Sequence, residues 1–396
     1  MAEEKQENKK TKNIKRARKW VWCAAIVIVI AAITCCLLWK AGLLEFQTVD
    51  GQLAAIEAAR AIPDEENAAI IYNQLLENYD ESSLSPDFLD EDLDNLTSHE
   101  PWLSKDYPEL AEWLKDQQDT ISTLLKASKK EKCRFPINTY PEGFRERMDL
   151  LSATRRWAFL LIRAANNDIA EDRIDTALEK YLCLNQMANH MCQQPVAVDF
   201  LVGIAVEALA LGRMKTLILE GDATEAHLKT IEAIPLQTKN NWTEISSKIL
   251  EFETLYERKN LGLFDRLKFA WQGIRVEDTF ERIQEIYLRL LANRRGNRIL
   301  IALRRYKNKH DRWPQTLSEI QSFVPAEILI DPLNNGSFVY KLTDNNFKLH
   351  SKGLNNIDDD GKRDQWGRKK TGADDWPIWP TYYQKLKTKK ETTNAK

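Results

Sequence analysis

Side chains able to do chemistry are plentiful in this chain of 396 residues, yet few stand at spacings that define a reaction. The five histidines, His99, His190, His227, His310 and His350, are scattered, with no i, i+4 pair to set two imidazoles on one helical face for a metal. Each reads as a surface or cap residue. No HExxH, GxSxG, P-loop or GxGxxG occurs, so no catalytic residue and no organic cofactor is predicted. Carboxylates are so common that a glycosidase-type pair among them is unspecific. A sharper pattern lies between Glu285 and Asp311, where Arg289, Arg294, Arg295, Arg298, Arg304, Arg305, Lys307 and Lys309 follow one another without an acid. Such a row is either a solvated helical face paired with acids of the same fold or a surface for anionic lipid headgroups or cell-wall polymer. Its counterpart is residues 61–104, with twelve acids, Asp87, Asp90, Glu91, Asp92 and Asp94 among them, and no Lys or Arg. Near the C-terminus, Trp376, Trp379, Tyr382 and Tyr383 are costly to leave in water and are expected to dock on the protein's own surface or on a partner.

The elements that must position these groups are mostly helical. With 43% hydrophobic and 29% charged residues and only 14 glycines, the chain is folded and helix-leaning, which excludes low-complexity disorder. Its formal net charge of −2 conceals a segregation. Residues 1–19 carry eight Lys or Arg against three Glu, and Trp20–Trp39 follows without a charge. Twenty apolar residues at about 1.5 Å each match a hydrocarbon core of about 30 Å. Trp20, Trp22 and Trp39 lie at its two ends, where indoles prefer the headgroup layer, and the basic tail is expected to stay cytoplasmic. The run exceeds a signal-peptide core and has no small-x-small site after it, so an uncleaved anchor is predicted. The remainder, with 49 basic and 56 acidic residues, is then an extracytoplasmic part of charge −7.

From residue 41 to about 310 the apolar spacing is helical. Helices are predicted over 47–61 and 67–79 around Pro63, over 110–129, 144–166, 173–190 and 196–220, from Asp222 to Pro235, and over 238–261 and 276–306. The apolar stretch 200–212 is too short to span a membrane and reads as a core helix. Small residues four or so positions before Tyr72 and Tyr181 resemble the second helix of a tetratricopeptide unit. Ala68 and Ala177 are 109 residues apart, however, which is no multiple of the repeat's roughly 34. An irregular rather than a repeating helical domain follows. Cys133, Cys183 and Cys192 lie outside the span, contain no CxxC, and read as buried small apolar side chains.

The composition changes after Tyr306. Ala302-Leu-Arg-Arg-Tyr306, His310-Asp-Arg-Trp-Pro314 and Leu317-Ser-Glu-Ile320 lead into Asp331-Pro-Leu-Asn-Asn-Gly336 and Phe338-Val-Tyr340. Phe347-Lys-Leu-His-Ser351 and the run from Gly353 to Gly361 follow. Read from the residues alone, 337–341 and 346–350 are two short strands around a hairpin loop at Thr343. Residues 295–365 as a whole resemble the C-terminal domain of type II secretion major pseudopilins, and the layout of the chain resembles uncharacterised membrane-anchored proteins of planctomycete-like bacteria. The resemblance implies a long helix, a Trp-Pro turn, an antiparallel sheet and an acidic loop that holds calcium. On this chain the implied calcium ligands are Asp358, Asp359, Asp360 and Asp364, with Gly361 allowing a tight turn. The predicted span lacks the glutamate that pseudopilins carry near the start of their membrane helix. A borrowed domain is therefore expected rather than a filament subunit.

The expectation is thus a mainly α protein: basic cytoplasmic tail 1–19, transmembrane helix 20–39, irregular, possibly repeat-like helical ectodomain 41–275, small α+β module 276–365 with a short antiparallel sheet, and aromatic then lysine-rich tail 366–396. It would sit in the inner membrane as a single-pass protein with its C-terminal part outside the cytoplasm. Its role would be that of a scaffold or interaction component of the bacterial envelope, with no nucleic-acid partner. Interaction residues would be Arg294, Arg295, Arg298, Arg304 and Arg305 with the four C-terminal aromatics. An accessory part in a secretion or pilus-like system is the second reading and a hydrolase of envelope polymers the third.

Overall fold

A computed structural model describes residues 48–137, 142–235, 242–260, 276–343, 346–364 and 372–381, together with 29, 33 and 34. The chain divides into two units, Met1–Ala55 and Ile56–Lys396. In the first, Val29, Ile33 and Thr34 are helical and exposed; the rest of the predicted span 20–39, and the tail 1–19, lie outside the described residues. Among the described residues no helix is long and apolar enough to cross a membrane. Eleven helices and one three-stranded antiparallel sheet occur among them, so the mainly helical expectation holds.

After α1 (Val49–Ala59), α2 (Ala68–Glu77) begins where Asn67 accepts the Ala69 amide on its side-chain oxygen at 3.0 Å. The same buried amide group receives the Arg134 N–H at 2.8 Å and donates to the Arg134 carbonyl at 3.1 Å, so a helix cap also ties down a segment 67 residues away. Within the acidic stretch, between the helices predicted over 67–79 and 110–129, α3 (Glu91–His99) forms. Asp90 caps the Leu93 amide at 2.8 Å, and Glu91, Asp92 and Asp94 gather at the positive end of the helix dipole. The single helix expected over 110–129 is two, α4 (Pro108–Asp116) and α5 (Gln118–Ser128), interrupted at Gln117.

The centre of the second unit is three long helices packed in succession, α6 (Glu142–Ala170), α7 (Ile174–Cys192) and α8 (Ala197–Leu219). α6 buries Trp157, Leu160, Leu161 and Ile162, α7 buries Tyr181, Leu184 and Met187, and α8 buries Met214, Leu217 and Ile218. α8 is a core helix, as its length suggested, and it carries Asp199, Glu207 and Lys215 into the interior. Then come α9 (Glu225–Ala233) and α10 (Trp242–Asn260). The sequence of α9 suggests a start at Asp222 reciprocated by Glu225, but the reciprocal cap lies two residues on: Thr224 Oγ1 accepts the His227 amide at 3.3 Å and His227 Nδ1 accepts the Thr224 amide at 3.1 Å.

α11 (Val276–His310) runs 35 residues and is covered on nearly every side. Ile283, Tyr287 and Leu290 join Phe200, Ile204 and Ile249 in a small core, whereas Ile299, Leu300, Ile301, Ala302 and Leu303 are consecutive and all buried in the main one. Five consecutive buried positions cover more than one face of a helix, so this part of α11 lies inside. The arginine row is consequently turned to acceptors of the chain itself, and not to those of the stretch 61–104. Arg294 grips Glu207 with two nitrogens, both side chains nearly water-free. Arg304 donates to Leu219 O at 3.0 Å at the end of α8, and Arg298 to Ile234 O at 2.7 Å at the end of α9, serving as caps for orphan carbonyls. Arg295 bonds Ile330 O at 2.5 Å, and Arg305 bonds Glu225 and Glu232. The acids of 61–104 find other bases, Glu81 pairing with Arg156 and Asp94 with Arg163.

Beyond α11 the chain forms β1 (Val339–Leu342), β2 (Phe347–Ser351) and β3 (Trp376–Trp379), ordered β1-β2-β3. The first two are the predicted hairpin, with Lys341 opposite Lys348 and Val339 opposite His350. β3 corrects the reading of 366–396 as a tail: Trp376 and Trp379 lie in an edge strand, where Pro377 needs no amide proton. Tyr382 and Tyr383 fall outside the described residues. Register slips between Leu349 and His350, leaving Ile378 without an opposite number. The buried Ile378 rests on Gly296 of α11, where any Cβ would lie 2.5 Å from Ile378 Cγ2. Cys133, Cys183 and Cys192 are free thiols, the first two buried, and burial raises the Cys183 thiol to about 12.

Two predictions follow from this interior. Removing one member of a buried pair strands the other charge, so Glu207→Ala is expected to cost about 3–5 kcal/mol in urea unfolding, and Glu207→Leu with Arg294→Met much less. The second concerns His190, fully buried, whose Nε2 lies 2.8 Å from Lys130 O and whose Nδ1 lies 3.0 Å from the Tyr72 hydroxyl. A carbonyl only accepts, which assigns the proton to Nε2 and leaves the neutral ring as the one that fits. Burial holds this imidazole down to about 4. The unfolded chain takes up its proton near about 6.5, so the contribution is complete above that pH and is lost, to the extent of about 3 kcal/mol, as pH falls toward 4. Asp199, pushed up to about 6 by burial, has the opposite sign. The measurement is therefore the difference in unfolding free energy between pH 7.5 and 4.5, which should be smaller in His190→Gln than in the parent chain.

Candidate functional site

Alternation along Phe347-Lys-Leu-His-Ser351 puts Phe347, Leu349 and Ser351 on one face of β2 and Lys348 and His350 on the other. Phe347 and Leu349 enter the main core. Cross-strand pairing adds Lys341 beside Lys348, so the outer face of the hairpin presents two ammonium groups and an imidazole in a row. The Asp-rich loop after β2 folds back over that face. Asp358 Oδ1 lies 2.9 Å from His350 Nε2 and its Oδ2 lies 3.0 Å from Lys341 Nζ. Asp360 takes Lys341 at 3.2 Å and Lys348 at 3.3 Å. These contacts hold the Asp358 carboxyl well below the ordinary carboxylate range, the His350 hydrogen bond first and Lys341 next, and they lower Asp360 through the two lysines. Lys341 is raised in turn by the same two acids.

A third carboxylate comes from outside the loop. Asp375, the residue before β3, is completely buried, with Oδ2 3.5 Å from His350 Nε2. Oδ2 also accepts the amides of Asp359 at 2.9 Å and Gly361 at 2.7 Å. Its other oxygen, Oδ1, is buried and has no hydrogen-bond partner. Burial pushes this carboxyl up, against the two amides and His350. His350, Asp358 and Asp375 offer one ligand atom each, all within 4.8 Å of one another, and form a group able to hold a metal ion. His350 and Asp375 form the floor and the exposed Asp358 the rim.

Of the four acids that the sequence singles out for calcium, only Asp358 belongs to this group. Asp360 faces the lysines, Asp359 Oδ2 accepts the Asp374 amide at 3.4 Å, and Asp364 Oδ2 accepts the Gly372 amide at 2.8 Å. The two partners that the sequence misses, His350 and Asp375, are 25 residues apart and meet only because β3 lies beside β2. The alternation in β2 was the available signal for His350; nothing local marks Asp375. His190 and His350 are both buried, against their reading as surface or cap residues, while His227 is a cap.

The aromatic tail residues Trp376 and Trp379 are spent internally. Arg289 and Arg363 each approach the Trp376 ring, at 4.9 and 4.5 Å from its centroid, and its indole N–H donates to Asn293 Oδ1 at 3.3 Å. Trp379 is buried and donates to Asn346. Arg289 also bonds Asp374 Oδ1 at 3.0 Å, and Asp374 Oδ2 accepts the Leu354 amide at 2.8 Å, so α11 anchors both sides of the loop.

Comparison with known proteins gives no match: no protein-family model, no curated protein and no solved structure is similar to this chain.

The loop closes on β3 at Gly353, which has φ +65° and whose absent Cβ would lie 2.2 Å from Asp374 O. Gly353→Ala is therefore expected to destabilise the chain by about 1–3 kcal/mol. The loss should appear in urea unfolding and as faster proteolysis after Leu354, with α6–α8 helicity retained.

Proposed function

We propose that this protein is a single-pass membrane-anchored component of the bacterial envelope, with its helical body and C-terminal module outside the cytoplasm and a scaffolding or interaction role. The observation that carries this reading is the N-terminal arrangement: eight basic residues in 1–19, then twenty uncharged residues framed by tryptophans. The body supports a scaffold in its own way. Buried ionic groups of the body are committed to internal pairs and helix caps, as Arg294 is to Glu207 and Arg304 to the end of α8, which favours rigidity over chemistry. The module offers its loop outward, with Leu354 and Ile357 47% and 60% exposed beside the carboxylates. Calcium, the ion suggested by the Asp-rich loop, is not carried into this reading because, of the four acids, only Asp358 joins the group able to hold a metal ion, Asp360 being turned to Lys341 and Lys348.

An accessory role in a type II secretion or pilus-like system is the second reading. It is supported by a long helix that leads through Tyr306 and Trp313-Pro314 into an antiparallel hairpin, with the Tyr340 hydroxyl donating to Pro314 O at 2.8 Å.

Fractionation of a bacterial host tests the proposal. The full chain is expected to stay with membranes through alkaline carbonate, and deletion of residues 1–39 to release it. A C-terminal tag should be digested from the periplasmic side of spheroplasts. Soluble full-length protein, or a tag reached only after lysis, would reject the anchored topology. Crosslinking in intact membranes separates the two roles, since secretion-apparatus partners are expected only for the second.

A further inference from the structure

We propose that His350, Asp358 and Asp375 bind one divalent transition-metal ion, zinc by preference, at the junction of β2, the Asp-rich loop and β3. Three observations converge on it. The first is spacing. Ligands about 2.1 Å from a tetrahedral ion lie about 3.4 Å apart, and the two distances from His350 Nε2, 2.9 Å to Asp358 and 3.5 Å to Asp375, bracket that edge.

The second is an unanswered atom. Asp375 is fully buried, and while Oδ2 has two backbone amides, Oδ1 has no partner at all. Native folds satisfy buried carboxylate oxygens, and a buried Asp375 with one bare oxygen, its other oxygen 3.5 Å from the His350 imidazole, points to a cation. His350 cannot serve both acids by itself: Nε2 carries at most one proton and stands between two carboxylates. A divalent ion in place of that proton would be neutralised by the two carboxylates. The proton it displaces from Nε2 leaves to solvent on the exposed Asp358 side.

The third is the donor set. One imidazole nitrogen with two carboxylate oxygens suits first-row transition ions, whereas calcium asks for six to eight oxygens and has no use for the nitrogen. Lys341 sits on the far oxygen of Asp358, Oδ2, while Oδ1, which also accepts the Asp360 amide at 3.0 Å, is the oxygen turned to His350, and an outer partner on Oδ2 orients such a ligand. Three protein ligands leave a fourth position for water at the open rim. Bound there, the ion would tie the Asp-rich loop to the start of β3 across 17 residues, from Asp358 to Asp375. The inference stands independently of where the protein resides and of its scaffolding role.

The test uses the full chain in detergent, stripped with chelator and titrated with zinc, cobalt and calcium chlorides. One equivalent of zinc is expected to bind and to raise the melting temperature, and cobalt to give the intense visible bands of a four-coordinate site. His350→Gln and Asp375→Asn should each weaken zinc binding at least tenfold and abolish those bands, while Asp364→Asn should leave both intact. Should Asp375→Asn fail to fold by circular dichroism, the exposed Asp358→Asn carries the same expectation. Zinc uptake that is indifferent to His350→Gln, or absent below millimolar metal, overturns the proposal. So does calcium binding tighter than zinc and lost in Asp364→Asn, which would assign the loop to calcium through the other acids.

Discussion

The structure of the second unit depends on enclosing one helix. Between Ile283 and Tyr306 α11 buries residues on several faces, Arg289, Asn293, Arg294 and Asn297 among them, and charges carried inward in that way need partners. Arg294 is the hardest case. Its guanidinium is almost out of water, and it stays charged because Glu207 of α8 supplies both carboxylate oxygens. Neither charge is tolerable there without the other, so the pair sets how α8 and α11 face each other as much as it adds to stability. Asn297 donating to Leu211 O and Lys215 donating to Asn293 extend the same seam. Burial pushes Lys215 down to about 7, which shows how little water reaches it.

From that seam α11 passes its order to the C-terminal module. Gly296 opens a notch for Ile378, Asn293 receives the Trp376 indole, and Arg289 lies between Trp376 and Asp374. β3 is therefore positioned by side chains of a helix as well as by β2. The bulge that drops Ile378 into the helix notch also brings Asp375 beside His350. Core packing and the candidate metal centre are thus two consequences of one register shift. The loop then completes the arrangement by charge: Lys341, Lys348 and His350 face Asp358, Asp360 and Asp375 across the outer side of the hairpin.

Much of this was legible from periodicity. The long helices α6, α7, α8, α10 and α11 and the hairpin β1–β2 lie within a few residues of their predicted positions, because each has a continuous apolar face or a clear alternation. α3 was missed because its nine residues carry few apolar side chains and owe their start to the Asp90 cap and the helix dipole. The break at Gln117 has no proline or glycine to announce it. β3 was missed because a strand of four residues containing a proline looks like a tail until a neighbouring strand and a helix notch are there to receive it. The arginine row was visible as a charge pattern, but a run of like charges in sequence does not say which way each side chain turns.

By itself the sequence determined the helical class, the segregated basic N-terminus with its uncharged run, and the presence of a hairpin followed by an acidic loop. Those features are set by local chemistry: period, charge and length. Only the tertiary structure decided that the arginines of α11 would cap α8 and α9 and grip Glu207, and that His350 would meet Asp375 and not the four loop acids as a set. Those outcomes depend on which elements approach one another. The approach is governed by burial of groups far apart in the chain, and no local spacing encodes it.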